Sequence, residues 1–236
     1  MSLPDPARAG SPVTSERSDS SIASARPLGV LGLGAVAVIL LGAIATAIPY
    51  AGYAGEGYSP VNHFISELGE RPQSQLAVVF NAGVVIGGIG LGLFLAIVSR
   101  HLTGRYRPAL LLAGIVAGTS GTLVGLFPMD THAAHRLASD VFFLSGWIVA
   151  AIFSLWLATG RRRGIPRLLL APGILCVAVS LIFIGVYSTY HPIDPNANIV
   201  ARSAMWTVPL LEWASLLSLL LWFVCLSAVL VRQKVD

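Results

Sequence analysis

Charged side chains are scarce in this sequence: Asp, Glu, Lys and Arg together make up 11% of its 236 residues. Ordinary soluble domains carry roughly 25% charged residues, whereas hydrophobic residues reach 55% here. The composition therefore excludes a typical soluble globular domain. It predicts a protein whose main partner is a lipid bilayer, and no nucleic-acid partner is expected.

Cysteine is equally scarce, and both copies, Cys176 and Cys225, lie inside apolar runs. A disulfide framework and a zinc ribbon are therefore excluded. A cleavable secretory signal is not expected, because the first apolar run is longer than the roughly 7–15 residues of a signal core. Residues 1–26 are rich in Ser, Pro and Arg, which predicts a disordered cytoplasmic tail ahead of one transmembrane domain over residues 27–236.

Long apolar runs are what the sequence has in abundance. Six of them are long enough to cross a hydrocarbon core of ~30 Å, which takes roughly 20 residues. Glycines at four-residue spacing in the second and third runs predict that those two helices pack closely. The expected fold is an all-α integral membrane bundle of six transmembrane helices: Leu28–Tyr50, Leu76–Val98, Ala109–Phe127, Ala133–Ala158, Leu168–Tyr187 and Ala204–Val231.

The basic residues predict the orientation of the bundle. Twelve lie in the two tails and in the connections after the second and fourth runs, against three, Arg71, Arg136 and Arg202, on the other side. Because basic residues collect in the cytoplasm, both termini are expected there. Seven of the eleven acids and four of the five histidines lie on the opposite side, so we expect the polar chemistry on the extracytoplasmic face. The ratio of fourteen Arg to one Lys is typical of a GC-rich bacterial genome and favours a prokaryotic cell (inner) membrane.

The first outer loop, Ala51–Gln75, contains a segment with helical spacing of apolar residues, Tyr58–Leu68. This pattern predicts a short interfacial or re-entrant helix. Its apolar side would face lipid or the bundle and comprises Val61, Phe64, Ile65 and Leu68. The other sides would carry Asn62, His63, Ser66 and Glu67.

Three short motifs, in this order, resemble the DUF998 family. They are FISELG at Phe64–Gly69, FNAG at Phe80–Gly83 and GLFPMDTHAAH at Gly125–His135. The resemblance implies a polytopic prokaryotic membrane protein with a six-helix type of domain, and the family's name records an unknown function. The recurring family positions, carried onto this chain, would be Ser66, Glu67, Gly69, Asn81, Pro128 and His135.

The start of the fourth run carries a row of polar residues. His132, Arg136 and Asp140 fall at i, i+4 and i+8, so they lie on one helix face, and His135 and Ser139 form the adjacent row. One interpretation is a binding site lined by these side chains. The alternative is that Arg136 pairs with Asp140 and the histidines face water at the headgroups.

Two acids lie deep in predicted helices. Asp140 and Glu212 are each about eight residues inside the outer end, roughly 10–12 Å at 1.5 Å per residue. A charged carboxylate there costs ~2.5–3.5 kcal/mol unless it is protonated, paired or hydrated. Arg136 and Arg202 are the nearby cations that could pair with them. A functional cavity is the other explanation, since buried charge is weak evidence for stability.

Two functions remain open from the sequence. The leading hypothesis is a non-enzymatic or accessory membrane protein that binds or passes a small ligand, a lipid headgroup or an ion at an outward cavity. Its candidate ligand-binding residues are His63, Glu67, Asn81, Asp130, Arg136, Asp140, Tyr190, Arg202 and Glu212.

The alternative is an intramembrane metal-dependent lipid hydrolase at the outer leaflet. It would use a divalent metal such as zinc, because histidines three residues apart can share a face and bind one ion. The candidate ligands are His132, His135 and His191, with His63 as a substitute. The candidate catalytic acids are Asp140, Glu212 and Glu67.

Overall fold

The computed structural model describes residues 25–71, 73–160, 164–189 and 203–233. This part of the chain is helical and contains no strand. Three short 3₁₀ segments, Ile65–Gly69, Met129–Thr131 and Arg167–Leu169, precede α2, α4 and α5. The six long helices are α1 (Ala25–Ala47), α2 (Ala77–Ser99), α3 (Tyr106–Leu126), α4 (Ala133–Ala158), α5 (Leu170–Ser188) and α6 (Thr207–Arg232).

All six helices are long and apolar enough to span a membrane, so the chain is a multi-pass membrane protein. Their bounds lie within three residues of the predicted ones, and those of α4 are identical. α1 ends earlier than predicted, before Pro49, because a proline disfavours helical geometry in the residue ahead of it. α3 begins earlier, at Tyr106, because Pro108 is tolerated in a first helical turn.

The helices form a ring in chain order. Each helix packs against its neighbours in the sequence, and α6 closes the ring by packing against α1. α4 and α6 touch only lightly across the middle. This arrangement surrounds a narrow central space.

The predicted close packing of α2 and α3 is confirmed. A Cβ atom built on Gly92 would lie 3.2 Å from the Cα of Gly118, and one on Gly88 would lie 2.6 Å from the backbone nitrogen of Thr122. No larger residue fits at either position without moving the facing backbone. Small residues thus let the two helices approach closely, which is how helices associate in lipid.

The outside of the ring is apolar. Leucine, isoleucine and valine side chains such as Leu41, Val78, Leu112 and Leu155 are exposed around it, while Phe94, Leu110 and Trp222 are fully buried inside. An apolar exterior of this kind matches a hydrocarbon surrounding. It is the surface that the composition predicted.

Acidic and basic residues separate along the bundle axis. We call the acidic end the one at which α1, α3 and α5 end and α2, α4 and α6 begin. The six acidic residues of the described ranges all lie at or near this end: Glu56, Glu67, Glu70, Asp130, Asp140 and Glu212. Six arginines lie at the opposite end: Arg26, Arg100, Arg105, Arg107, Arg167 and Arg232.

Candidate functional site

The connection from α1 to α2 packs into the acidic end. We call its described residues, 50–71 and 73–76, the buried loop. Its helical part is the 3₁₀ segment Ile65–Gly69, which is shorter than the predicted helix Tyr58–Leu68. The burial also differs from the prediction. The spacing placed His63 and Glu67 away from the apolar side, but their side chains are 1% and 0% exposed, whereas Val61 is exposed. Hydrogen bonds and ring contacts within the protein compensate for the burial of these two polar side chains.

Glu67 organises the loop around itself. Its Oε1 accepts a hydrogen bond from the backbone N–H of Phe64 at 2.8 Å, which caps the start of the 3₁₀ segment. Its Oε2 accepts from the hydroxyl of Tyr50 at 3.2 Å. Both carboxylate oxygens are therefore occupied inside the protein, as a buried carboxyl group requires.

Glu212 holds the same segment from α6. Its Oε2 accepts from the backbone N–H of Ile65 at 2.9 Å. The adjacent amides of Phe64 and Ile65 are thus each bonded to a buried carboxyl group, one local and one from the last helix. Asn81 acts on the far end of the segment, donating from Nδ2 to the carbonyl oxygen of Gly69 at 2.9 Å.

His63 lies in an aromatic box. Its ring packs against Tyr50 and Tyr58 at centroid distances of 5.4 and 5.2 Å. Its Nδ1 is 2.8 Å from Oδ1 of Asn62, and its Nε2 is 3.5 Å from Oε1 of Glu56. The histidine is therefore part of the loop's internal packing.

Tyr58 joins the loop to α6. The indole nitrogen of Trp213 donates to its hydroxyl at 2.8 Å, and that hydroxyl donates to the carbonyl oxygen of Phe64 at 3.1 Å. Burial, followed by the nearby carboxyl group of Glu212, raises the pKa of Tyr58 far above its ordinary value. The phenol is thus a permanent hydrogen-bond donor.

Two further acids lie at the rim of the loop. Burial raises the pKa of Glu70, and the hydroxyl of Tyr53, which donates to its Oε1, partly offsets that rise. Asp130 forms an ion pair with Arg71, with 3.3 Å between Oδ2 and the guanidinium nitrogen. Asp130 was predicted as a ligand-binding residue, and its ion pair with Arg71 was not predicted.

A cleft of about 420 Å³ lies beside the loop, between α4, α5 and the start of α6. The predicted row of His132, Arg136 and Asp140 lines it, and Leu144 continues that row one turn deeper. Such a volume is in the range of small-molecule sites. The other lining residues are Phe64, Ser66, Met129, His135, Ser139, Phe143, Phe183, Ile184, Tyr187, Ser188, Trp206 and Glu212.

Arg136 and Asp140 face this cleft without pairing. Within the described part of the chain, neither side chain forms an ion pair or a hydrogen bond. The alternative interpretation, an ion pair between Arg136 and Asp140, is therefore not found among the described residues, and Glu212 forms no ion pair with Arg136 there. Arg202, the other predicted partner, lies outside the described residues, as do Tyr190 and His191.

The two histidines at the start of α4, His132 just before the helix and His135 in its first turn, differ. His135 uses both ring nitrogens: Nδ1 donates to the carbonyl oxygen of Phe127 at 2.8 Å, and Nε2 lies 3.3 Å from the hydroxyl of Ser139. His132 is exposed and has a φ of 41°, in the left-handed region, at the turn into α4. In residues 25–71, 73–160, 164–189 and 203–233, no group of three His, Cys, Asp or Glu side chains could hold a metal ion.

The metal-dependent hydrolase gains no support from this arrangement. Of its three proposed ligands, His135 has both ring nitrogens occupied and His132 lies at the surface. The predicted zinc site remains a prediction, because one of its ligands, His191, lies outside the described residues.

A second, smaller cavity of about 70 Å³ lies in the middle of the ring. Its lining comes from α1, α2, α3, α4, α6 and the 3₁₀ segment, and is apolar apart from Ser66, Ser139 and Glu212. Along α6 the lining extends from Glu212 to Phe223, roughly 16 Å at 1.5 Å per residue. Four residues, Ser66, Ser139, Phe143 and Glu212, line both this cavity and the cleft.

The sequence missed the apolar half of the cleft. Phe143 and Leu144 follow Asp140 at i+3 and i+4, so continuing the polar row by one turn would have found them. Phe183 and Ile184 of α5 could not be found in this way, because nothing in the sequence distinguishes them from the other apolar residues of that helix.

Comparison with known proteins adds a family to this geometry. The chain belongs to the family described as "Protein of unknown function (DUF998)", whose model matches residues 35–229. This confirms the resemblance carried by the motifs of the buried loop, α2 and the start of α4. No curated protein and no solved structure matches the chain.

Proposed function

We propose that this DUF998 protein is a non-enzymatic binding protein whose cleft holds the phosphate-bearing headgroup of a membrane amphiphile. The observation that carries the proposal is that Arg136 and Asp140, two opposite charges, line one cleft and form no ion pair or hydrogen bond with the described residues. Unpaired charges in the outer part of a membrane helix are costly. A ligand that pairs with them explains why they are there.

The chemistry of the headgroup follows from the order of the two side chains. Arg136 is nearer the mouth of the cleft, and its guanidinium group suits a phosphate because it donates several N–H groups in a planar fork. Asp140 lies one turn deeper, roughly 6 Å along the helix. It accepts a hydrogen bond from a hydroxyl or amine group that follows the phosphate.

The apolar part of the cleft favours an amphiphile over a free ion. Phe143, Leu144, Phe183 and Ile184 line it below the charged pair. A small hydrated ion or free phosphate gains nothing from such a wall, whereas the first part of a hydrocarbon chain packs against it.

We also propose that the acidic end faces the extracytoplasmic side of a prokaryotic cell membrane, with both termini in the cytoplasm. The six arginines at the opposite end support this orientation. In cells that express a variant with Cys176 and Cys225 replaced by alanine, Thr131→Cys should react with a membrane-impermeant maleimide, and Arg105→Cys should not. The reverse labelling would overturn the orientation.

Headgroup binding is tested by titrating lysophosphatidic acid, whose free glycerol hydroxyl follows the phosphate, onto the delipidated protein and counting bound lipid by native mass spectrometry. Arg136→Gln should weaken binding by roughly tenfold or more, since a charge-assisted hydrogen bond contributes ~1.5–3 kcal/mol. Asp140→Asn should weaken it as well. Arg71→Gln is the matched control, because Arg71 lies at the same end but pairs with Asp130 outside the cleft. Equal affinity in all four proteins would refute the proposal.

A further inference from the structure

Glu212 lines the cleft and has one carboxyl oxygen that forms no bond. Its Oε2 accepts from the backbone N–H of Ile65. Its Oε1 forms no hydrogen bond or ion pair in the described part of the chain, and it is not sealed off from solvent, although the residue is only 7% exposed. The cleft is the larger of the two open spaces that Glu212 lines. The proposed headgroup site therefore contains a further acceptor beside Arg136 and Asp140.

We infer that the group following the phosphate of the ligand is a primary ammonium group, bound between Asp140 and Glu212. The ligand class is then the phosphate monoester of a long-chain amino alcohol. This inference rests on the proposed headgroup site, which accepts a hydroxyl or an amine at that place. It adds the chemical identity of the second group and makes Glu212 a specificity-determining residue.

The position of Glu212 along its helix matches the place of this group. α4 and α6 both begin at the acidic end of the bundle. Arg136 and Asp140 are the fourth and eighth residues of α4, and Glu212 is the sixth residue of α6. Counted from the two helix starts, Glu212 is thus two residues from the level of each, roughly 3 Å at 1.5 Å per residue. A group that follows a phosphate on Arg136 therefore has one carboxyl group on α4 and another on α6.

The balance of acidic and basic groups favours an ammonium group over a hydroxyl. Among the described lining residues, the carboxyl groups of Asp140 and Glu212 accompany a single guanidinium group, that of Arg136. A phosphate bound to Arg136 occupies that cation, and a carboxylate without a counter-ion in the outer part of a membrane helix is costly. A hydroxyl donates one hydrogen bond and brings no charge, whereas an ammonium group donates three and is positive. The ammonium group therefore satisfies both carboxyl groups at once.

The aromatic rings of the cleft suit the same cation. Phe64 and Trp206 pack edge to face with ring centroids 5.2 Å apart, and Phe143 and Phe183 do so at 4.9 Å. All four residues line the cleft, and the face of an aromatic ring attracts an ammonium group. A quaternary ammonium group gains this attraction as well, but it has no N–H to donate to Oε1 of Glu212. The open oxygen thus selects a primary amine.

The inference is tested by competition between two lipids on the delipidated full-length protein, measured by native mass spectrometry. Sphinganine 1-phosphate and lysophosphatidic acid of equal chain length share the phosphate monoester, but an ammonium group follows it in the first and a hydroxyl in the second. Sphinganine 1-phosphate should bind roughly tenfold more tightly, because charge-assisted hydrogen bonds are the strong ones. Acetylation of its amine should abolish this preference. Equal binding of the two lipids would overturn the inference.

Glu212→Gln tests the residue directly. Its amide oxygen still accepts from Ile65 N–H, but the carboxylate is gone, so the preference for sphinganine 1-phosphate should be lost while lysophosphatidic acid binds as before. Glu70→Gln is the matched control, because Glu70 is an acid at the same end that lies outside the cleft. A full preference in folded Glu212→Gln would refute the role of Glu212. If that variant does not fold, the comparison with the acetylated lipid on the wild type decides.

The two proposals fail separately in this experiment. If Arg136→Gln leaves the binding of both lipids unchanged, the headgroup site is wrong. If Arg136→Gln weakens both but the wild type does not distinguish them, the headgroup site stands and the ammonium inference falls. Phosphoethanolamine, a chain-free competitor with the same two groups, should displace the lipids poorly. Displacement at a concentration comparable to that of the lipids would support the ammonium site and overturn the membrane amphiphile as its ligand.

Discussion

The buried loop and the cleft contain the same kinds of charged residue, yet their surroundings differ. Glu67 of the loop and Glu212 of α6, which contacts the loop, accept hydrogen bonds from backbone amides and a tyrosine. In the cleft, Arg136 and Asp140 have no such partner within the described residues. The comparison teaches that the carboxyl groups at one polar end of the bundle differ: some are bonded to the backbone of the loop, and Asp140 faces an open cleft.

The largest effect is expected from Glu67→Ala. The change removes the acceptor of Phe64 N–H in a fully buried place and also removes the hydrogen bond from the Tyr50 hydroxyl. A stranded backbone donor alone costs about 1–3 kcal/mol, so the apparent melting temperature in detergent should fall on the order of 10 °C. Ser66→Ala, at the neighbouring position, should shift it little. A small shift for Glu67→Ala would show that the loop does not depend on this carboxyl group.

A smaller loss of stability is expected from Glu212→Ala, which strands only Ile65 N–H. The expected loss is roughly 1–3 kcal/mol. Glu212→Gln is the matched control, because its carbonyl oxygen still accepts the bond, and it should melt close to the wild type. If the two variants melt alike, the contact with Ile65 does not stabilise the protein.

Glu70 provides a pH test of the rim. Burial raises its folded pKa, so the folded protein binds more protons than the unfolded chain between the ordinary pKa and the raised one. Stability should therefore fall as pH rises through that window. The Gln side chain of Glu70→Gln stays neutral, so the stability of this variant should not decrease in that pH window. The difference in melting temperature between the two proteins, measured at a series of pH values, tests this. Parallel pH profiles would contradict the assignment.

The smallest effect on stability is expected from Asp140→Asn. The side chain has no hydrogen bond or ion pair to lose within the described residues, so the melting temperature should move by no more than about 1–2 °C. Its binding of lysophosphatidic acid should nevertheless weaken. A large drop in melting temperature with intact binding would show that Asp140 stabilises the fold, as Glu67 and Glu212 do, and that the loop and the cleft do not differ in this respect.

Most of the fold was predictable because apolar run length and glycine spacing are local properties of the sequence. The row of His132, Arg136 and Asp140 was predictable for the same reason, since the helical period places them on one face. The partner of Glu212 was not. The sequence suggested an arginine, but the partner is the backbone amide of Ile65, 147 residues away, and an amide has no residue type that marks it.

The length of that separation has a consequence for biogenesis. The segment around Ile65 leaves the ribosome with the first third of the chain, whereas Glu212 and Trp213 arrive with the last helix. Until α6 is inserted, the amide of Ile65 and the hydroxyl of Tyr58 lack their α6 partners, and the ring stays open between α1 and α5. Insertion of α6 then closes the ring and locks the loop in one step, so a nascent chain arrested before α6 should expose the loop to protease and the completed protein should protect it.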